Sequence, residues 1–227
     1  MLLKCYLSDN TLECFCFYIT GNFLHYCIEM EEYIVYVIIA FIVGVCIYMY
    51  YQNSDAMQLK CIVSGVDGNK YCVRERAKLQ EAADLLATVT QKCKNLVDYM
   101  NEKHPEDDRT KRLVKGFNPK KVMETLPTSS FTAYSENKGE KIAFCLSPKK
   151  ENGEGTLIDE HTLTFVAIHE LSHVATVSIG HKTEFWENFK FLLENAKESG
   201  IHEPKDYGKE PGKYCSMKIQ DNPYYDM

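Results

Sequence analysis

The longest apolar run of the chain lies near its N-terminus. Residues 33–51, YIVYVIIAFIVGVCIYMYY, contain no charged side chain, and a helix of about 20 apolar residues crosses a hydrocarbon core of about 30 Å. Tyrosines cluster at both ends of the run, as they do at membrane interfaces. A cleaved signal peptide begins with basic residues, whereas Glu29, Glu31 and Glu32 precede this run. The pattern therefore predicts a single transmembrane helix over 33–51.

The segments on either side of this run differ in character. Residues 1–32 are rich in aromatic residues and cysteine without periodicity, and translation from Met30 instead of Met1 is an alternative start. Residues 52–72 are predicted to form a linker. Lysines and arginines accumulate only after the run, at Lys60, Lys70, Arg74 and Arg76. Because positive charge favours the cytosolic side, we expect an external N-terminus and a cytosolic C-terminal part.

The next periodic segment follows the linker. Apolar residues recur at spacings of three and four, which is the stripe of a long amphipathic helix: Leu79, Ala82, Leu86, Val89, Cys93, Leu96 and Met100. His104 and Pro105 are expected to end this helix. Its opposite face is charged and solvated, so we assign no function to it.

Two short β-strands are predicted after the long helix. They span Phe131 to Tyr134 and Lys141 to Leu146, and the polar loop between them holds Gly139, where a positive φ is expected. A glycine-rich loop at 152–155 leads to another helix, which begins near Asp159 or Thr162. The pattern as a whole predicts an α+β domain with a small antiparallel sheet packed on helices.

Composition limits the class of protein. A chain of 227 residues with 45% hydrophobic content and a formal charge of -6 fits one medium domain plus an appendage. The acidic balance makes nucleic acid an unlikely partner, because proteins that grip phosphates usually carry a basic face. The ten cysteines are scattered and define no readable disulfide framework, which mildly favours a reducing compartment.

Residues 165–186, FVAIHELSHVATVSIGHKTEFW, carry the candidate chemistry. His169 and His173 are four residues apart, so their imidazoles lie on one face of a helix and can hold one metal ion. Glu170 projects about 100 degrees away, where it can reach a metal-bound water as a general base. Burying three such groups in an apolar helix without partners would be unfavourable by several kcal/mol. This HExxH arrangement therefore predicts a zinc-dependent hydrolase.

A catalytic zinc has three protein ligands and one open position. Gly180 is expected to end the helix and let the chain turn back, so His181 is the preferred third ligand. Glu184, at the start of the following helix, is the competing ligand. Downstream, Tyr207 or Tyr214 could donate a hydrogen bond to the oxyanion, and Cys215 could bind the zinc as an inhibitory ligand.

The stretch HELSHVATVSIGHKTEFW resembles the signature of the SprT-like and WLM minigluzincin metallopeptidases. The resemblance implies that His169, His173 and His181 bind Zn²⁺ and that Glu170 is the general base. It further implies a compact zincin domain over residues 73–227, in which Phe185 and Trp186 form a packing pair. Similar proteins are expected among putative metallopeptidases of large DNA viruses.

These features together predict a membrane-anchored zinc metallopeptidase that cleaves a protein or peptide substrate near the membrane. Its catalytic domain would lie on the cytosolic side or in the interior of a virion. One alternative is a membrane-anchored structural or interaction protein whose zinc site is not catalytic. Another is a DNA-protein crosslink protease, which the acidic composition disfavours.

Overall fold

The computed structural model describes residues 6–8, 11–13, 23–53, 59–147 and 156–226, and it divides the chain into two units, Met1–Tyr51 and Gln52–Met227. The predicted glycine-rich loop at 152–155 lies outside the described residues, as do residues 1–5, 9–10 and 14–22 of the N-terminal segment. Translation from Met30 stays a prediction.

The first unit contains an antiparallel pair of short strands, β1 (Tyr6–Ser8) and β2 (Thr11–Glu13), followed by helix α1 (Phe23–Asn53). Within α1, Tyr33–Tyr51 is long and apolar enough to cross a membrane, and none of these residues is buried. Since a core helix of a soluble protein would be mostly buried, the remaining interpretations are a membrane span and a signal sequence.

The second unit is built around a five-stranded sheet in the order β3-β4-β5-β7-β6. Its strands are β3 (Lys60–Val63), β4 (Lys70–Val73), β5 (Val122–Glu124), β6 (Ala133–Glu136) and β7 (Lys141–Phe144). The two predicted strands do pair antiparallel, as β6 and β7, but the sheet is mixed and not purely antiparallel, because β4–β5 and β5–β7 pair in parallel. Parallel neighbours need a crossover connection, and helices between β4 and β5 supply one.

Within residues 59–147 and 156–226, four longer helices and two short ones accompany the sheet. They are α2 (Leu79–Lys103), α3 (Asp108–Gly116), a 3₁₀ turn (Pro119–Lys121), α4 (Glu160–Ala175), α5 (Thr183–Glu198) and α6 (Pro223–Asp226). The predicted α2 stripe is confirmed from Ala82 to Met100, where its apolar residues are buried. A second antiparallel pair, β8 (Gly212–Tyr214) and β9 (Met217–Ile219), lies near the C-terminus.

Two disulfides join cysteines that the sequence left unpaired. Cys61 and Cys72 face each other across β3 and β4, and Cys145 is bonded to Cys215. The first disulfide lies in a hairpin over residues 60–73, so strands β3 and β4 overlap the range expected to be a linker. Disulfides persist mainly in oxidising environments, and the expectation of a reducing compartment is therefore not supported.

Candidate metal centre

Helix α4 is buried on nearly every side, and His169 and His173 are the two positions beyond its first turn that are partly exposed. Asp159 caps its N-terminus by accepting a hydrogen bond from the Thr162 amide at 2.8 Å, as one of the two predicted caps. Beyond the first turn, every residue of α4 except His169 and His173 is buried. These two side chains are therefore the point at which the core helix reaches a cleft.

His181 joins the two helical histidines from the segment after α4. Its Nε2 atom lies 3.1 Å from His169 Nε2 and 3.1 Å from His173 Nε2, and the potential ligand atoms of all three lie within 4.8 Å of one another. Zinc–nitrogen bonds of about 2.0–2.1 Å in a tetrahedral site place ligand nitrogens about 3.3 Å apart. The three imidazoles thus fit a zinc ion. Among the described residues no fourth His, Cys, Asp or Glu side chain joins them, so a bound ion would keep one position open.

Phe185 packs against all three imidazoles. Its ring centroid lies 4.9 Å from that of His169, 4.4 Å from His173 and 4.6 Å from His181. The neighbouring Trp186 ring lies 5.8 Å from His181. Phe185 is fully buried, so the three imidazoles pack against an apolar side chain that is fixed in the core. This is the packing role that the resemblance implied for Phe185 and Trp186.

The competing ligand Glu184 is engaged elsewhere. Its two carboxylate oxygens accept hydrogen bonds from the amides of Val177 at 2.9 Å and Ser178 at 3.0 Å. These bonds hold the pKa of the Glu184 carboxyl well below its usual value, at about 2. A carboxylate occupied by two backbone donors braces the segment that carries His181 and is not directed at the three imidazoles.

The end of α4 differs from the prediction. The helix stops at Ala175, although Gly180 does have the expected positive φ of 80°. Lys138 Nζ donates to the carbonyl oxygens of His173, Thr176 and Ser178 at 3.2, 2.6 and 3.2 Å. Because this ammonium satisfies carbonyls that end the helix, the chain can leave the helical path before Gly180.

Burial sets the protonation of the site. It lowers the pKa of His169 to about 3 and that of His173 to about 4, with smaller contributions from the neighbouring imidazoles, and it also lowers the pKa of His181. Neutral imidazole is the form that binds metal ions. Burial also raises the pKa of Glu170 to about 8, and a nearby cation would favour the ionised carboxylate that a general base requires.

A cleft of about 850 Å³ leads to the imidazoles and Glu170. One wall is the segment Ser130–Ser135 at edge strand β6, and another is the β8–β9 hairpin, which contributes Tyr214 and Met217. The two walls are joined, because Thr132 Oγ1 donates to Met217 Sδ at 3.3 Å. An elongated substrate therefore has room beside the three imidazoles.

The two candidate tyrosines differ in position: Tyr214 lines the cleft with its hydroxyl bound to backbone groups, and Tyr207 lies outside the cleft. The Tyr214 hydroxyl accepts from the Cys145 amide at 3.0 Å and donates to the Thr132 carbonyl at 3.1 Å. Tyr207 lines a different pocket beside Asp159. Cys215 is bonded to Cys145, which rules out the alternative of an inhibitory thiolate ligand.

Sequence reasoning missed Lys138 and the Cys145–Cys215 bond. Lys138 lies in the β6–β7 turn, 35 residues before the His173 carbonyl that it contacts. No local pattern marks such a long-range contact. Asn137 and Lys138 before Gly139 were a signal for a tight turn with positive φ, and all three adopt it.

Comparisons with known proteins give viral relatives. No family model matches the chain. Uncharacterized protein R325 of Acanthamoeba polyphaga mimivirus is 26% identical over 197 residues, which are 85% of this chain and 98% of that protein. Uncharacterized protein 136R of Invertebrate iridescent virus 6 is 36% identical over 76 residues, or 33% of this chain and 40% of that protein. The expectation of viral relatives is confirmed.

Among solved structures, the crystal structure of Wss1 from Saccharomyces cerevisiae is similar over 56% of this chain and 89% of that chain. The sequence identity is 17% and the TM-score is 0.42. A TM-score below 0.5 does not establish a shared fold.

Proposed function

We propose that the chain is a membrane-anchored zinc metallopeptidase. The observation that carries this proposal is the convergence of three imidazole nitrogens within 4.8 Å of one another, in the cleft that Glu170 also lines. Zinc at such a site acts as a Lewis acid that polarises a peptide carbonyl and lowers the pKa of water. The resemblance of the HELSH segment to SprT-like and WLM peptidases supports the same reaction.

In this proposal the protein side chains have separate roles. His169, His173 and His181 hold the ion through neutral imidazoles. Glu170, as carboxylate, accepts a proton from the attacking water and then gives it to the amine that leaves when the peptide bond breaks. The cleft supports this proposal over a non-catalytic zinc site, because a structural zinc site closes its fourth position with protein, whereas these imidazoles face a cavity of about 850 Å³.

Metal analysis tests the proposal directly. We expect the full chain, purified in detergent, to contain about one zinc ion per molecule and to cleave an unfolded protein substrate. Chelation should abolish cleavage and added zinc should restore it. The melting temperature should fall on chelation, because a ligand that binds only the folded state stabilises it. A chain that binds no zinc, or that cleaves equally well after complete chelation, would contradict the proposal.

The anchor is the second part of the proposal. The uncharged helix segment Tyr33–Tyr51, with none of its residues buried, is expected to hold the protein in the bilayer. After extraction of membranes with alkaline carbonate, the full chain should remain in the pellet. A variant that lacks residues 33–51 should appear in the supernatant. Release of the full chain by carbonate would show that the helix does not span the membrane and would restrict the proposal to an unanchored peptidase.

A further inference from the structure

The segment that carries His181 lacks the packing that fixes the other two histidines. Residues 176–182 connect α4 to α5 without regular secondary structure, and the side chains of Val177 and Ile179 are 66% and 86% exposed. A Cβ added at Gly180 would meet no atom within 4 Å. The side chains of Val177 and Ile179 therefore do not hold the backbone of this segment. The His181 ring packs on Phe185, but the backbone that carries it depends on polar contacts.

Two side chains of opposite charge supply those contacts. Glu184 accepts from the amides of Val177 and Ser178, and Lys138 donates to the carbonyls of His173, Thr176 and Ser178. Five backbone groups between residues 173 and 178 are thus bound by one carboxylate and one ammonium. Hydrogen bonds to charged groups are stronger than those between neutral groups.

Both charged residues are held in place by their own elements. Glu184 lies in the first turn of α5, where a negative charge is favoured. Lys138 occupies the β6–β7 turn with φ of 55°, and a Cβ at Gly116 would lie 2.4 Å from the Lys138 carbonyl oxygen. The β6–β7 turn therefore packs closely against Gly116 at the end of α3. The backbone of each residue thus belongs to an element outside the segment that its side chain contacts.

We propose that Lys138 and Glu184 are positioning residues that hold His181 where it can complete the metal site. The inference rests on the proposed zinc site and deepens it. His169 and His173 are already fixed by the buried helix α4, so loss of either contact should affect the third ligand selectively. Removing residues that orient metal ligands typically weakens metal affinity by about 10- to 100-fold.

The test compares matched variants of the full chain in detergent. Lys138→Met and Glu184→Gln each remove one of the two charged groups that bind the segment, and we call them the clamp variants. Lys120→Met and Glu187→Gln make the same changes at exposed positions outside the site. Zinc affinity is measured by competition with a chelator, and the coordination of cobalt, as a substitute for zinc, is followed by its visible spectrum. The melting temperature of each apoprotein reports on folding.

We expect about 10- to 100-fold weaker zinc binding and an altered cobalt spectrum in both clamp variants. The two control variants should match the wild type. Lys138→Arg, which keeps a cation able to donate to several carbonyls, should recover most of the affinity. If Lys138→Met unfolds the apoprotein, Glu184→Gln provides the same measurement from the other side of the segment.

A double-mutant cycle with His181→Ala separates positioning from general stability. Lys138→Met should weaken zinc binding in the wild type but not further in the His181→Ala background. Equal losses in both backgrounds, or zinc affinity in the clamp variants equal to that of their controls, would overturn the inference while leaving the zinc site intact. A wild-type chain without zinc affinity would instead overturn the proposed function and this inference with it.

Discussion

Replacing Glu170 with glutamine is expected to lower the rate of peptide hydrolysis by about 10²- to 10⁴-fold, the usual contribution of a general base. The amide cannot accept the proton of the attacking water, although it has nearly the size and shape of the carboxyl group. The three imidazoles are unchanged, so the variant should retain its zinc. Single-turnover cleavage of a fluorogenic substrate and metal analysis of the same sample measure both effects.

Stability is the control for this variant. Burial raises the pKa of Glu170 to about 8, so the metal-free protein holds a protonated carboxyl at neutral pH, which glutamine imitates. The apoprotein of Glu170→Gln should therefore melt close to the wild type, as should Glu187→Gln on the exposed face of α5. Undiminished hydrolysis in a folded, zinc-loaded Glu170→Gln protein would refute the assigned role of the carboxylate.

The double replacement of Cys145 and Cys215 with serine is expected to lower the free energy of unfolding by about 4 kcal/mol. This estimate follows from the chain entropy that a bond across 70 residues removes from the unfolded state. Unfolding of the second unit by guanidinium can be followed through the fluorescence of Trp186, the only tryptophan in the chain. Trp186 is well placed for this purpose, because its ring lies 5.3 Å from that of Phe185 at the site.

The other disulfide provides the matched comparison. Cys61 and Cys72 are separated by 11 residues, so replacing both with serine should lower the free energy of unfolding by less, about 3 kcal/mol. Reducing agent should make the wild type as unstable as a protein with all four replacements. If the Cys145 and Cys215 replacements leave the unfolding midpoint unchanged, the bond does not form in the native protein.

The helices were predictable because their signals are local. The α2 stripe is visible as apolar spacing, and the four-residue interval between His169 and His173 places both on one face of α4 without any knowledge of tertiary structure. His181 was accessible for a similar reason, since Gly180 marks a turn directly before it. Most of the candidate site could therefore be predicted from one stretch of 22 residues, 165–186.

The sheet and its bonds were not predictable in the same way. Strand β5 has three residues, too few to show an alternating pattern. Long connections separate it in sequence from its parallel partners β4 and β7. The Cys145–Cys215 pairing and the contacts of Lys138 join residues that are 35 to 70 positions apart. Such contacts are determined by tertiary packing. The end of α4 was misplaced for this reason, because Lys138 acts on it from another element.

The packing of Phe185 on all three imidazoles has a consequence for the kinetics of metal exchange. Imidazole rings that already pack against a buried phenyl group lose little rotational freedom when an ion binds. The ligands are therefore ordered when the protein folds and not when the metal binds. Zinc uptake and release should then be governed by diffusion through the cleft and by the loss of bound water. The empty and loaded proteins would consequently present nearly the same surface to a substrate.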